Sequence, residues 1–171
     1  MARLFLTGYM GSGKSTLGER LSAKLNYYFV DLDKFIESEY QQTIPEIFAK
    51  KGEAEFRAME HNCLKALIEK DNVVIACGGG TPCYYDNMEL MNNNGITVYI
   101  KMSADTLISR LKVAKEKRPL LENKTDKELM DFVTRQLEKR ENFYNKAQFI
   151  VKGKDLKVDE LATFIKEQIG L

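Results

Sequence analysis

The sequence predicts an α/β protein built on a parallel sheet. Two observations carry this expectation. Short apolar runs alternate with helical patterns from end to end, as in strands joined by right-handed helical crossovers. The first junction, Gly8-Tyr9-Met10-Gly11-Ser12-Gly13-Lys14-Ser15-Thr16, lies between the apolar run Leu4-Phe5-Leu6 and the helical spacing Leu17, Leu21, Leu25. That is the strand, loop and helix context of a phosphate-binding turn. At 171 residues, one domain over 1–171 with a real core is the expected organisation.

The strand candidates are residues 4–6, 28–30, 73–76, 97–100 and 149–151, with helices between them. The first connection, 8–16, matches the Walker A pattern at every fixed position. The bare pattern arises by chance in roughly one chain in a hundred of this length, and the flanking strand and helix make chance rarer still. The physics of the loop is specific. Gly8, Gly11 and Gly13 let the backbone curl so that N–H groups point inward at an anion. The following helix adds more N–H groups and the positive end of its dipole. Lys14 is placed to reach the β- and γ-phosphates, Ser15 to ligate magnesium, and Thr16 to donate to the α-phosphate. A nucleoside triphosphate is the expected ligand.

The second strand runs into Asp31-Leu32-Asp33. Continued with period two, it puts both aspartates on one side at the carboxyl end of the sheet, where ligands sit in open α/β folds. Asp31 is the candidate magnesium residue, acting through a metal-bound water, and Asp33 is free to face a second substrate. Either also suits an N-cap for the helix expected near Lys34.

Thr43 and Glu46 form a capping box with Pro45 in the first turn, and Gly52 is expected to stop that helix. A second helix then starts near Glu53, with Phe56, Met59, Cys63 and Leu67 on one face. Arg57 lies in its first turn. A cation there opposes the helix dipole, so an anion partner is the better account. After the third strand, Cys77-Gly78-Gly79-Gly80-Thr81-Pro82 offers a backbone that approaches a ligand closely. Residues 112–124, with Arg118-Pro119 inside, are long for a connection and read as a lid. Thr125 and Glu128 form another capping box. The stripe Leu129, Val133, Leu137, Arg140, Tyr144 then puts an arginine in line with an apolar face. It either snorkels to water or reaches inward to a carboxylate.

Composition narrows the classes. The chain is 44% hydrophobic and 30% charged, with a net charge of +1. That argues against a nucleic-acid partner, which needs a basic face. No apolar run approaches the ~20 residues of a membrane span, and no signal segment precedes the first strand. Cys63, Cys77 and Cys83 show no CxxC spacing and read as reduced packing residues in a cytoplasm. The lone His61 reads as helix filler rather than a catalytic group. With no exposed apolar stripe, a monomer is the expectation.

Two arginines, a carboxylate and a triple glycine opposite a phosphate cradle suit a small acceptor carrying a carboxylate and hydroxyls. A GTPase would need an Asn-Lys-x-Asp, which is absent. A kinase of another small hydroxy acid such as gluconate, and a nucleotide-binding module without turnover, are the rival readings. The second would be expected to have lost Lys14, Asp33 or Arg118, and none is lost.

In order and spacing, these motifs resemble the shikimate kinase family over the whole chain. The matching stretches are 8–16, Asp31-Leu32-Asp33, Gly52-Glu53 with Phe56-Arg57, Gly78-Gly79-Gly80, Arg118-Pro119-Leu120-Leu121, and Arg140 with Tyr144. The resemblance implies a nucleoside-monophosphate-kinase-like P-loop fold, a five-stranded parallel sheet in the order 2-3-1-4-5, with a lid at about 112–124. It implies transfer of the ATP γ-phosphate to the 3-hydroxyl of shikimate, giving shikimate 3-phosphate and ADP on the way to chorismate and the aromatic amino acids. It implies that Asp33, Arg57, Gly79 and Arg140, with Gly78 and Gly80 beside them, hold shikimate. Gly11, Ser12, Gly13, Lys14, Ser15 and Thr16 would hold ATP, with Ser15 on Mg²⁺ directly and Asp31 through water. Lys14, Asp33 and Arg118 would be the catalytic residues, and Arg110 would stack on adenine. Two departures stand out. The loop Lys152-Gly153-Lys154-Asp155 does not match the family's base-contacting pattern, and Cys77-Gly78 replaces the magnesium aspartate that many P-loop proteins carry on the third strand. Replacing Arg118 by Ala is expected to lower kcat by on the order of 10² or more while the fold survives. Steady-state kinetics beside a melting curve check this, and wild-type rates would leave Arg118 a surface residue only.

Overall fold

The computed structural model describes residues 2–113 and 124–170. Five parallel strands form one sheet: β1 (Arg3–Thr7), β2 (Tyr28–Asp31), β3 (Val73–Ala76), β4 (Ile96–Lys101) and β5 (Phe149–Lys152). Their order is β2-β3-β1-β4-β5, as the resemblance implies. Each expected strand is present, at most one residue longer at either end. The central strands are near-continuous apolar runs because both faces of a parallel sheet are covered.

Alternation along β1 divides the core. Leu4 and Leu6 join Val74, Val98 and Ile100 on one face, under α1 (Lys14–Leu25), α5 (Ala104–Val113) and α7 (Val158–Ile169). Phe5 joins Val73, Ile75 and Tyr99 on the other, under α2 (Leu32–Tyr40), α3 (Ile44–Leu67) and α4 (Asn87–Asn94). Helix α6 (Asp126–Tyr144) serves both. Its Leu129 and Val133 pack in the first cluster and its Tyr144 in the second.

Register sets the site. Asp31 pairs with Ala76, and Ala76 with Leu6, so β1, β2 and β3 end level at their carboxyl edge. Each strand end delivers one part: the 8–16 loop, Asp31, and the triple glycine.

One expectation changes. Helix α2 begins at Leu32 rather than near Lys34, and its cap is Asp31, whose Oδ1 accepts from the N–H of Asp33 (3.1 Å) and of Lys34 (3.3 Å). Asp33 therefore sits in a first helical turn and not one pleat further along a strand. The chain turns early because capping satisfies N–H groups that a strand end leaves open. The break expected at Gly52 is present: Gly52 takes φ 81°, ψ 175°, outside helical geometry, and the chain resumes helix at once. Both capping boxes, Thr43 with Glu46 and Thr125 with Glu128, are formed. Of the expected lid, Lys112 and Val113 finish α5 and Lys124 precedes α6. Arg118 and the motif around it lie outside the described residues. Among the described residues, no helix is long and apolar enough to cross a membrane.

Candidate active site

The phosphate loop has the backbone its glycines predict. Gly8 (φ 144°), Gly11 (φ 80°) and Gly13 (φ 89°) occupy the region that disfavours side chains. A Cβ on Gly8 would also stand 2.8 Å from the Ile100 carbonyl oxygen. Lys14 is buried, and its Nζ donates to the carbonyls of Gly8 (2.8 Å) and Tyr9 (3.0 Å). Ser12 Oγ is buried without a hydrogen-bond partner, an orphan polar atom inside the cradle. Ser15 Oγ donates to Asp31 Oδ2 at 2.6 Å. A hydroxyl and a carboxylate oxygen meeting at the loop mouth fit a small hard cation such as magnesium. The Arg110 guanidinium lies against the loop, 3.3 Å from where a Gly13 Cβ would stand. That puts it beside the cradle and outside the lining of the cleft described next.

A cleft of about 610 Å³ opens from this loop. Lys14, Ser15, Thr16 and Asp31 line its phosphate side, and Asp33, Arg57, Glu60, Arg140 and the triple glycine line the rest. Arg140 thus turns toward the cleft, although none of the described contacts pairs it with a carboxylate. Its guanidinium also lies over the Tyr9 ring, 5.5 Å from the centroid.

The glycines have a steric purpose beyond approach to a ligand. A Cβ on Gly78 would stand 3.1 Å from Asp33 Oδ1 and 3.2 Å from Glu60 Oε1. One on Gly79 would meet Arg140 Nη1 at 3.2 Å, and one on Gly80 would meet both Arg57 terminal nitrogens at 2.7 Å. None of the three takes positive φ. Their missing side chains are space occupied by the protein's own charged groups.

Arg57 does have an anion partner, and the protein supplies it. Its Nη1 donates to Glu60 Oε2 (3.1 Å), its Nη2 to Glu53 Oε1 (3.2 Å), and its guanidinium stacks on the Tyr84 ring at 4.1 Å. Burial pulls the guanidinium pKa down, but the Glu60 charge and hydrogen bond, with Tyr84 and Glu53, more than offset it. Glu60 is the residue that sequence reasoning missed. It is fully buried, and its Oε1 accepts from Thr81 Oγ1 at 2.6 Å. A signal existed: Glu60 falls on the apolar face of α3 between Met59 and Cys63, where an acid needs a partner.

Asp33 opens onto the cleft, yet protein crowds its carboxyl. Desolvation, then the charges of Asp31 and Glu60, raise its pKa to about 6, with Lys14 opposing. The cysteines are inert by comparison. Burial pushes the Cys63 and Cys83 thiols up to about 11 and the fully buried Cys77 thiol higher still. His61 lies off the cleft, with Nδ1 2.6 Å from Asn87 Oδ1.

A family model described as shikimate kinase matches residues 10–170. The chain belongs to the shikimate kinase family. A shikimate kinase of Bacteroides thetaiotaomicron is 51% identical over 156 residues, which cover 91% of this chain and 89% of that protein. The crystal structure of shikimate kinase from that organism is similar at TM-score 0.92 and 46% identity, covering 99% of each chain. The Acinetobacter baumannii shikimate kinase, solved in complex with shikimate, has TM-score 0.85 and 31% identity, covering 99% of this chain and 93% of that one. Family membership and sheet order thus agree with the sequence reading.

The raised Asp33 pKa makes a sign-definite prediction. Between about pH 4 and 6 the folded state holds a proton that the unfolded chain has released, so unfolding free energy falls as pH rises through that window. Asp33→Asn removes this ionisation. The ligand-free variant is expected to be more stable than the parent at pH 7, by less than about 1 kcal/mol after screening by cleft water, and to match it near pH 4. Urea titrations at both pH values check this. A variant less stable at pH 7 would contradict it.

Proposed function

We propose that this chain transfers the γ-phosphoryl group of ATP to the 3-hydroxyl of shikimate, releasing ADP and shikimate 3-phosphate on the route to chorismate and the aromatic amino acids. One observation carries the reading: a phosphate-binding loop and two guanidinium groups face one cleft, with a carboxylate of raised pKa between them. The loop 8–16 cradles the triphosphate through its N–H groups and Lys14, and Ser12, Ser15 and Thr16 add hydroxyls. Magnesium bound with the nucleotide would be held by Ser15 and, through water, by Asp31, and it supplies charge neutralisation at the phosphates. Arg57 and Arg140 fork the acceptor's carboxylate, and Gly78, Gly79 and Gly80 let the ring approach.

Asp33 orients the attacking hydroxyl. With a pKa near 6 it is ionised at neutral pH yet basic enough to take the hydroxyl proton as the phosphoryl group leaves ATP. Phosphoryl transfer is catalysed mostly by positioning and by charge around the moving group. Lys14 supplies that charge from the loop and Arg118 from the lid. Arg110, against Gly13, stacks on the adenine end of the nucleotide. In this reading 1–171 acts as one kinase domain, a monomer in the cytoplasm. Its exposed large apolar side chains, Tyr28, Phe48, Tyr85, Val113 and Ile150, sit on separate parts of the chain.

ADP release with ATP and magnesium, measured with and without shikimate, tests the proposal. Shikimate-dependent release is expected, and release with gluconate in its place would move the chain to another acceptor. Arg140→Lys keeps the charge and loses the fork. It is expected to weaken shikimate use by roughly 1.5–3 kcal/mol in kcat/KM. An unchanged shikimate KM would remove Arg140 from the acceptor site.

A further inference from the structure

The function leaves one motif residue unexplained. Tyr144 stands one helical turn after Arg140, fully buried, with its ring 4.9 Å from that of Tyr99. Its hydroxyl donates to the Gly79 carbonyl at 2.6 Å, across 65 residues of chain. The neighbouring carbonyls are satisfied locally: Gly78 O accepts from Thr81 N–H (3.2 Å) and Gly80 O from Cys83 N–H (2.9 Å). So the two flanking peptide units are pinned by their own turn, and the middle one by a distant helix.

That middle unit is where the parts of the site converge. Arg140 Nη1 and the Met10 N–H both border the position of a Gly79 Cβ, at 3.2 and 3.4 Å. In a trans peptide the Gly79 carbonyl and the Gly80 N–H point in opposite directions. Fixing the carbonyl on Tyr144 therefore fixes the Gly80 N–H as well. Arg140 is also close enough to the phenol to draw its pKa down against the burial that raises it. One hydroxyl thus faces both the glycine loop and the acceptor arginine.

We infer that Tyr144 is a positioning residue: its hydroxyl clamps the Gly79–Gly80 peptide and aligns it with Arg140 to receive the acceptor substrate. This rests on the proposed role of the cleft as the shikimate site. Tyr144→Phe keeps the ring in its apolar pocket and deletes the hydroxyl, and with it both the bond to Gly79 and the contact with Arg140. Loss of one buried hydrogen bond at the site is expected to raise the shikimate KM about five- to tenfold. Affinity for ATP alone should stay within about twofold of the parent, because the cradle keeps its own hydrogen bonds. Tyr99→Phe, which perturbs the same ring stack without a bond to the glycine loop, should leave the shikimate KM unchanged.

A shikimate KM unaltered in Tyr144→Phe, an equal loss of ATP affinity, or the same KM rise in Tyr99→Phe each overturns the inference. If Tyr144→Phe does not fold, 3-fluorotyrosine placed at 144 keeps the volume and strengthens the donor, and the shikimate KM must then move. If the parent chain shows no shikimate-dependent turnover, the functional reading fails first. The Gly79 and Gly80 amide shifts of Tyr144→Phe then test the clamp by itself, and unchanged shifts sink it.

Discussion

The steric gap left by Gly78, Gly79 and Gly80 is the constraint on which the rest of the site depends. Asp33 and Glu60, then Arg140, then Arg57 each stand against one of these residues, so that a Cβ would be tight at Gly78 and Gly79 and would displace the Arg57 guanidinium at Gly80. Those side chains come from α2, α3 and α6, three helices that also share one apolar cluster on that face of the sheet. Because the loop follows β3, which ends level with β1 and β2, convergence happens beside the phosphate loop and nowhere else. A methyl group at Gly80 would force the Arg57 guanidinium to shift, and the obstacle at all three positions is contact rather than backbone φ.

Charge balance is the second layer. Asp31, Asp33 and Glu60 share one cleft with Lys14, Arg57 and Arg140. Glu60 is neutralised locally by Arg57 and Thr81, which is why a fully buried carboxylate is tolerated. At Asp33 the Lys14 charge opposes the rise, but desolvation and both neighbouring acids outweigh it. The same arrangement that holds Arg57 steady therefore leaves Asp33 basic. Glu60 thus enters both the ion pair with Arg57 and, after desolvation and Asp31, the raised pKa of Asp33.

Legibility in the sequence followed the range of the interactions. The strands and both capping boxes were readable because hydrophobic runs and Thr-x-x-Glu pairs act over a few residues. The phosphate loop was readable for the same reason. Asp33 was expected on a strand and lies in a helix, because whether Asp31 extends the strand or caps a helix is a close competition that local pattern does not decide. Arg57 was read as needing an anion partner, but Glu60, one turn along, went unnoticed as that partner. A charged residue in a helix reads as solvated until the packing around it is known. Tyr144 was visible as a motif position, but its partner is 65 residues away.

The sequence by itself determined the sheet's composition, the cradle for a triphosphate and membership of a family of kinases. Those rest on periodicity and on residues adjacent in the chain. Only the tertiary structure decided which carboxylate meets which guanidinium, why three glycines must stand together, and which phenol reaches their middle carbonyl. Such contacts join elements distant in sequence. Their energies depend on burial and on ångström-scale clearance, neither of which a linear pattern records.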